Sequence, residues 1–148
     1  MKSRALLVCV LLLAAERDVI PGRHALEVLR RTDRLESSQL GYSGTTSRLG
    51  TAYRELLREQ NAAAFLELFR TGTPAARVYA LAGLYDTDRA SFSRLIGSAF
   101  KKEQPWIFMI EGCVPRAVTT AEARARLESG ALSASWGRPL TSTSSLQY

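Results

Sequence analysis

Val78 to Tyr85 form eight consecutive residues without a charge directly behind a helix-start signal, and this segment restricts the fold more than any other. The Thr73 hydroxyl can cap a helix, and Pro74 at the first helical position forfeits no intrahelical hydrogen bond. A helix that is apolar on every side must be covered on several sides. Residues 78–85 are therefore expected as the central core element, with Leu81 buried and the neighbouring segments as cover.

Those neighbours read as amphipathic helices. Leu49, Ala52, Tyr53, Leu56 and Leu57 occupy i, i+3, i+4, i+7 and i+8, which places them on one helical face. Ala62, Phe65, Leu66 and Phe69 repeat the pattern, and Gly72 is expected to stop that helix in a left-handed conformation. Asp86, Thr87 or Asp88 opens a further helix with Phe92, Leu95, Ile96, Ala99 and Phe100 on one side, and Lys101 and Lys102 suit its C-terminus. A looser helical period runs from His24 to Leu35, and the Ser-, Gly- and Thr-rich segment 37–46 reads as a loop leading to a cap.

Beyond Pro105 the texture changes. Trp106 to Ile110 is a short apolar run that reads as a buried strand, with a buried helical turn as the alternative. Leu132, Ala134 and Trp136 alternate with Ser133 and Ser135, as in a partner strand. Between them Thr119 and Glu122 have capping-box spacing, Glu122 and Arg126 stand as an i,i+4 pair, and Gly130 is a stop. The expected fold class is mainly α, a HEAT-like helical hairpin stack or small bundle, with a short two-stranded ribbon near the C-terminus.

At the N-terminus Lys2 and Arg4 precede an apolar stretch from Ala5 to Ala15, followed by Glu16, Arg17 and Asp18. This is the layout of an export signal. Eleven residues are too few for a helix to cross a bilayer core, which takes about 20, so a cleaved leader is expected rather than an anchor. The residue before Cys9 is not small, which argues against a lipid anchor there. The expected organisation is a signal peptide at 1–15, a linker at 16–23 broken by Pro21 and Gly22, one helical domain at 24–138 and a Ser/Thr-rich disordered tail at 139–148.

Candidate chemistry is sparse. His24 is the only histidine of the chain, and one histidine with one mature cysteine falls short of the usual zinc ligand set, so no metal or other cofactor is expected. Gly41, Tyr42, Ser43 and Gly44 have the wrong glycine spacing for a nucleophile elbow and read as a turn. With Cys9 in the leader, Cys113 is left without an internal disulfide partner. It is expected as a buried, inert thiol, with intermolecular pairing as the alternative. Glu111 adjoins the apolar run, where burial would raise its pKa. Arg77 is expected to direct its guanidinium outward or pair with a helix neighbour. No catalytic, metal or cofactor-binding residue is assigned. The net charge of +6 is dispersed among arginines and glutamates rather than gathered in a stripe, so nucleic acid is not an expected partner.

The run from Gly41-Tyr42-Ser43-Gly44-Thr45 through Ala52-Tyr53-Arg54-Glu55-Leu56-Leu57 to Gly72-Thr73-Pro74-Ala75, then Tyr79-Ala80-Leu81-Ala82-Gly83-Leu84-Tyr85 and Gly112-Cys113, resembles a family of small exported bacterial proteins. That family is named after an accessory gene of a microcin cluster, and the likeness covers about half of the chain. The helix at 79–85 is also similar to the second helix of a HEAT-like repeat. The resemblance implies a helical fold and export but no mechanism. Relatives often carry a cysteine at the position of Ala82 that could pair with the one matching Cys113, and this chain does not. The expected function is an exported helical binding or interaction module with another protein as partner. The alternatives are a small hydrolase-type enzyme using Glu111 or Cys113, or an accessory protein held at the membrane by an uncleaved leader.

Protein purified from its native host is predicted to begin near Glu16. Intact-mass measurement tests this, and an unprocessed Met1 in the soluble fraction would refute it.

Overall fold

The computed structural model describes residues 22–100 and 106–137. The expected leader, most of the linker, Lys101 and Lys102, and the tail lie outside the described residues. The elements run α1 (Arg23–Arg30), β1 (Arg34–Leu40), β2 (Thr45–Thr46), α2 (Arg48–Arg58), α3 (Ala62–Thr71), α4 (Pro74–Thr87), α5 (Arg89–Ile96), β3 (Trp106–Gly112), β4 (Val114–Thr119), α6 (Thr120–Glu128) and α7 (Ala131–Gly137).

Four of these are strands of one mixed sheet, ordered β2-β1-β3-β4, with β1 parallel to β3 and both outer pairs antiparallel. The fold is therefore α+β. The expectation of a mainly α, HEAT-like stack with at most a C-terminal ribbon is overturned, because the sheet is central. Residues 24–138 are accordingly not a purely helical domain. What joins the sheet is a strand that looks like a loop. Of the seven residues of β1, Leu35 is the apolar one that is buried, and its middle is Glu36-Ser37-Ser38. Its partner lies four helices later in the chain, pairing Arg34 with Phe108, Leu35 with Met109 and Glu36 with Ile110. Backbone pairing at such separation overrides local composition.

The edge of β1 away from β3 is completed by a side chain. Glu36 N–H donates to the Tyr79 hydroxyl at 2.9 Å, and that hydroxyl donates to the Glu36 carbonyl at 3.3 Å. One phenol on α4 thus takes the place of a neighbouring strand. Burial pushes the Tyr79 phenol up, the hydrogen bond with the Glu36 backbone notwithstanding, which keeps it protonated as a donor.

The helices otherwise form as their patterns dictate. Thr73 caps α4 by accepting from Ala76 N–H at 3.1 Å with Pro74 at the first position, and Ala75, Ala76 and Val78 to Leu84, Leu81 included, are buried. On α2 Leu49, Ala52, Tyr53 and Leu56 are buried with Ser47 as cap. On α3 the fully buried pair is Phe65 and Leu68, while Leu66 and Phe69 are only partly buried, so its inner face is rotated from the expected one. Gly72 is extended, with φ −85°, rather than left-handed. A Cβ there would lie 2.6 Å from Ala76 Cβ and from the Leu68 carbonyl, so space selects glycine. Gly83 is selected likewise, since a Cβ would lie 2.3 Å from the Phe65 ring and hold α3 and α4 apart.

Two further boundaries differ from expectation. Helix α1 ends at Arg30, and Leu35 belongs to β1. Residues 131–137 are helix α7, not a strand: Leu132 and Trp136 are buried four residues apart, a spacing compatible with both periods, and the helical one prevails. Trp136 completes an aromatic centre, 4.3 Å from Tyr79 and 5.7 Å from Tyr53 between ring centroids, with Phe65 5.8 Å from Tyr53.

Tyr79→Phe should keep the ring packing and leave the buried N–H and C=O of Glu36 without their partner, a loss of about 1–3 kcal/mol. Thermal unfolding should show a lower Tm by several degrees. An unchanged Tm would mean that the hydroxyl does not close this edge.

Candidate binding surface

The two faces of the sheet are unequal. Leu35, Ile107, Met109 and Val118 are buried on the helix-covered side. On the opposite side Trp106 retains 52% and Phe108 41% of its accessible surface. Their cross-strand neighbours are Thr119 and Ala117 on β4, and Pro115 stands opposite Ile110. On β1 the register sets Arg34 beside Phe108. Adjacent half-exposed aromatic side chains on a rigid strand are what an interaction surface needs and a folded core does not. The neighbouring edge is blunt, because β4 is the outer strand and Pro115 lacks an N–H.

A cleft of about 580 Å³ adjoins this face at β1. It is lined by His24 and Glu27 from α1, by Arg31 and Asp33 between α1 and β1, by Arg34 and Glu36 at the start of β1, and by Arg48 and Leu49 from α2. Glu36 is buried there. Its carboxylate accepts from Arg34 Nε at 2.8 Å and from Ser47 Oγ at 2.8 Å. Ser47 also caps α2, accepting from Gly50 N–H at 3.0 Å, so the buried charge sits by the positive end of a helix. A buried carboxylate is tolerated only with such partners. His24 belongs to a packed helix rather than a loose terminus, since Ala25, Leu26 and Leu29 are in the core.

The residues singled out in the sequence lie elsewhere. Glu111 is half-buried between two arginines: Arg116 Nε donates to one carboxylate oxygen and Arg126 Nη2 to the other, each at 2.9 Å. Burial pushes the Glu111 carboxyl up, but these hydrogen bonds and charges outweigh it, and its pKa lies below the usual range. The expected upward shift is thereby corrected. The ion pairs of Glu111 contribute above the ordinary carboxylate range and are lost as pH falls through its lowered pKa. Glu122 pairs with Arg116 at 2.9 Å, so the expected Glu122–Arg126 pair gives way to a cluster linking α6 to the β3–β4 hairpin. Thr119 does cap α6, accepting from Glu122 N–H at 3.1 Å. Arg77 is half-buried at the start of α4 with a partner of its own.

Cys113 is exposed, contrary to the expected burial. Glu111 pairs with Val114, so Gly112 and Cys113 form a two-residue hairpin loop, with Gly112 at φ 61° in the first position, where a tight turn of this kind takes glycine. The apolar run ends one turn too early to cover the thiol. Gly41 N–H donates to the Gly112 carbonyl at 3.0 Å, which brings the Gly41–Gly44 turn and its fully exposed Tyr42 to the same end of the sheet. His24 lines the cleft and Cys113 does not, so the two do not form a catalytic pair.

Sequence reasoning missed Glu36, Arg34 and Arg48, and missed that Trp106 and Phe108 face outward. Five successive apolar residues hide which alternate set is exposed. The available signal was β4, where Pro115, Ala117 and Thr119 are less apolar than Val118. Among the described residues no group of three His, Cys, Asp or Glu side chains could hold a metal ion, and no helix is long and apolar enough to cross a membrane. Comparison with protein-family models, curated proteins and solved structures gave no match.

Native Cys113 should react with DTNB at a rate comparable to that of the unfolded chain, as an exposed thiol does. Strong protection in the folded state would contradict its place on the turn.

Proposed function

We propose that this protein is an interaction module that engages another protein through the open face of its sheet at Trp106 and Phe108. One observation carries the reading: two large aromatic side chains stay half-exposed beside each other on a central strand, while the core around α4 is filled without them. Aromatic side chains of this kind supply most of the energy in protein interfaces. The export-type N-terminus, and the resemblance to small exported bacterial proteins, support a periplasmic or extracellular setting. A hydrolase built on Glu111 or Cys113 has less support. A carboxylate held ionised by Arg116 and Arg126 is a poor proton donor, and Cys113 stands on an exposed turn without a base beside it.

A photo-crosslinking amino acid at position 108, introduced in the native host, should give a discrete adduct that disappears with Trp106→Ser. The same probe at Arg124, exposed on α6, should give none. Equal labelling from both positions, or no adduct from position 108, would refute the reading.

A further inference from the structure

Resting on that reading, we infer that the partner presents an acidic, apolar peptide segment, whose carboxylate enters the cleft on Arg48 while its apolar side chains lie on Trp106 and Phe108. The cleft and the aromatic face are one continuous surface, because Arg34 lines the cleft and stands beside Phe108 in the sheet register.

The lining of the cleft balances, Arg31, Arg34 and Arg48 against Glu27, Asp33 and Glu36, but one of its cations is left out of the pairing. Glu27 pairs with Arg30 and Arg31, Glu36 with Arg34, and Asp33 with Arg34 at 3.7 Å. Each carboxylate is thus occupied by an arginine that is not Arg48. The exposed Arg48 guanidinium makes no hydrogen bond or ion pair with any described residue. Helix stability does not account for an arginine there either. Arg48 is the first residue of α2, where the helix dipole is positive and an acid is favoured. A free guanidinium added to that positive end makes one corner of the cleft attractive to a carboxylate, which it can hold in a fork of two hydrogen bonds. The exposed ring of His24 lines the same cleft. From Arg34, which lines the same cleft, the surface turns apolar within one strand spacing at Phe108, so the matching segment carries Asp or Glu in the neighbourhood of aromatic or aliphatic residues.

Random peptides displayed on phage and selected on the full chain test this. Enriched peptides should place Asp or Glu beside apolar residues. Their synthetic versions should lose about tenfold in affinity with Arg48→Glu, as expected for a hydrogen bond to a charged group, and should bind more weakly at high salt. Arg48→Glu places an acid where a helix start favours one, so circular dichroism and Tm should match the parent and separate lost binding from lost folding. Peptides that respond to Trp106→Ser but not to Arg48→Glu, or basic peptides in the enriched pool, would overturn the acidic partner and leave the interaction module standing. Peptides indifferent to both substitutions would overturn both. Binding to phosphatidylglycerol vesicles that depends on Arg48 and Trp106, without selection of any acidic peptide, would reassign the surface to a membrane and likewise overturn the inference.

Discussion

Everything in this fold follows from the requirement that α4 be covered on nearly all sides. Ala75, Ala76 and the unbroken run from Val78 to Leu84 are buried, and no one neighbour can enclose such a cylinder. Helices α2 and α3 cover part of it, with Gly83 admitting the Phe65 ring against the α4 backbone. Helices α5 and α6, the sheet and α7 cover the rest, the last two meeting at Tyr79 and Trp136. The polar end of Tyr79 then does what an apolar residue could not, satisfying both main-chain groups of Glu36 at the edge of β1. The core thus determines where the sheet can stand.

That requirement was legible in the sequence, and so were the elements whose signals are local. The Thr73-Pro74 start, the inner face of α2, the Thr119 cap and the 106–110 strand all arise from residues within a turn or two of each other. The sheet was not legible as a sheet. Strand β1 carries a loop's composition and is held by β3 and by Tyr79, neither of which is near it in the chain. Helix α7 was misread because Leu132 and Trp136 satisfy periods of two and of 3.6 equally well.

The candidate surface was less legible still. It consists of residues that a sequence treats as ordinary: an arginine at a helix start, a glutamate in a polar stretch, and two aromatics in a run that reads as buried throughout. Glu111 and Cys113 drew attention because they adjoin that run, yet one is neutralised by Arg116 and Arg126 and the other stands clear of the body on a hairpin turn. Side-chain direction decides between these fates, and direction follows from strand register.

Pro115 gives the exposed face a particular character. A sheet that recognises a partner by adding its strand at an edge does so through main-chain groups, which every sequence possesses, and so accepts many sequences. With a proline in the outer strand that route is poor here, and under the proposed reading association runs instead through the flat of the sheet, where Trp106 and Phe108 offer side chains. Contact of that kind discriminates by shape and polarity at each position. On that proposed reading, such a surface favours one partner among many over the gathering of unfolded chains.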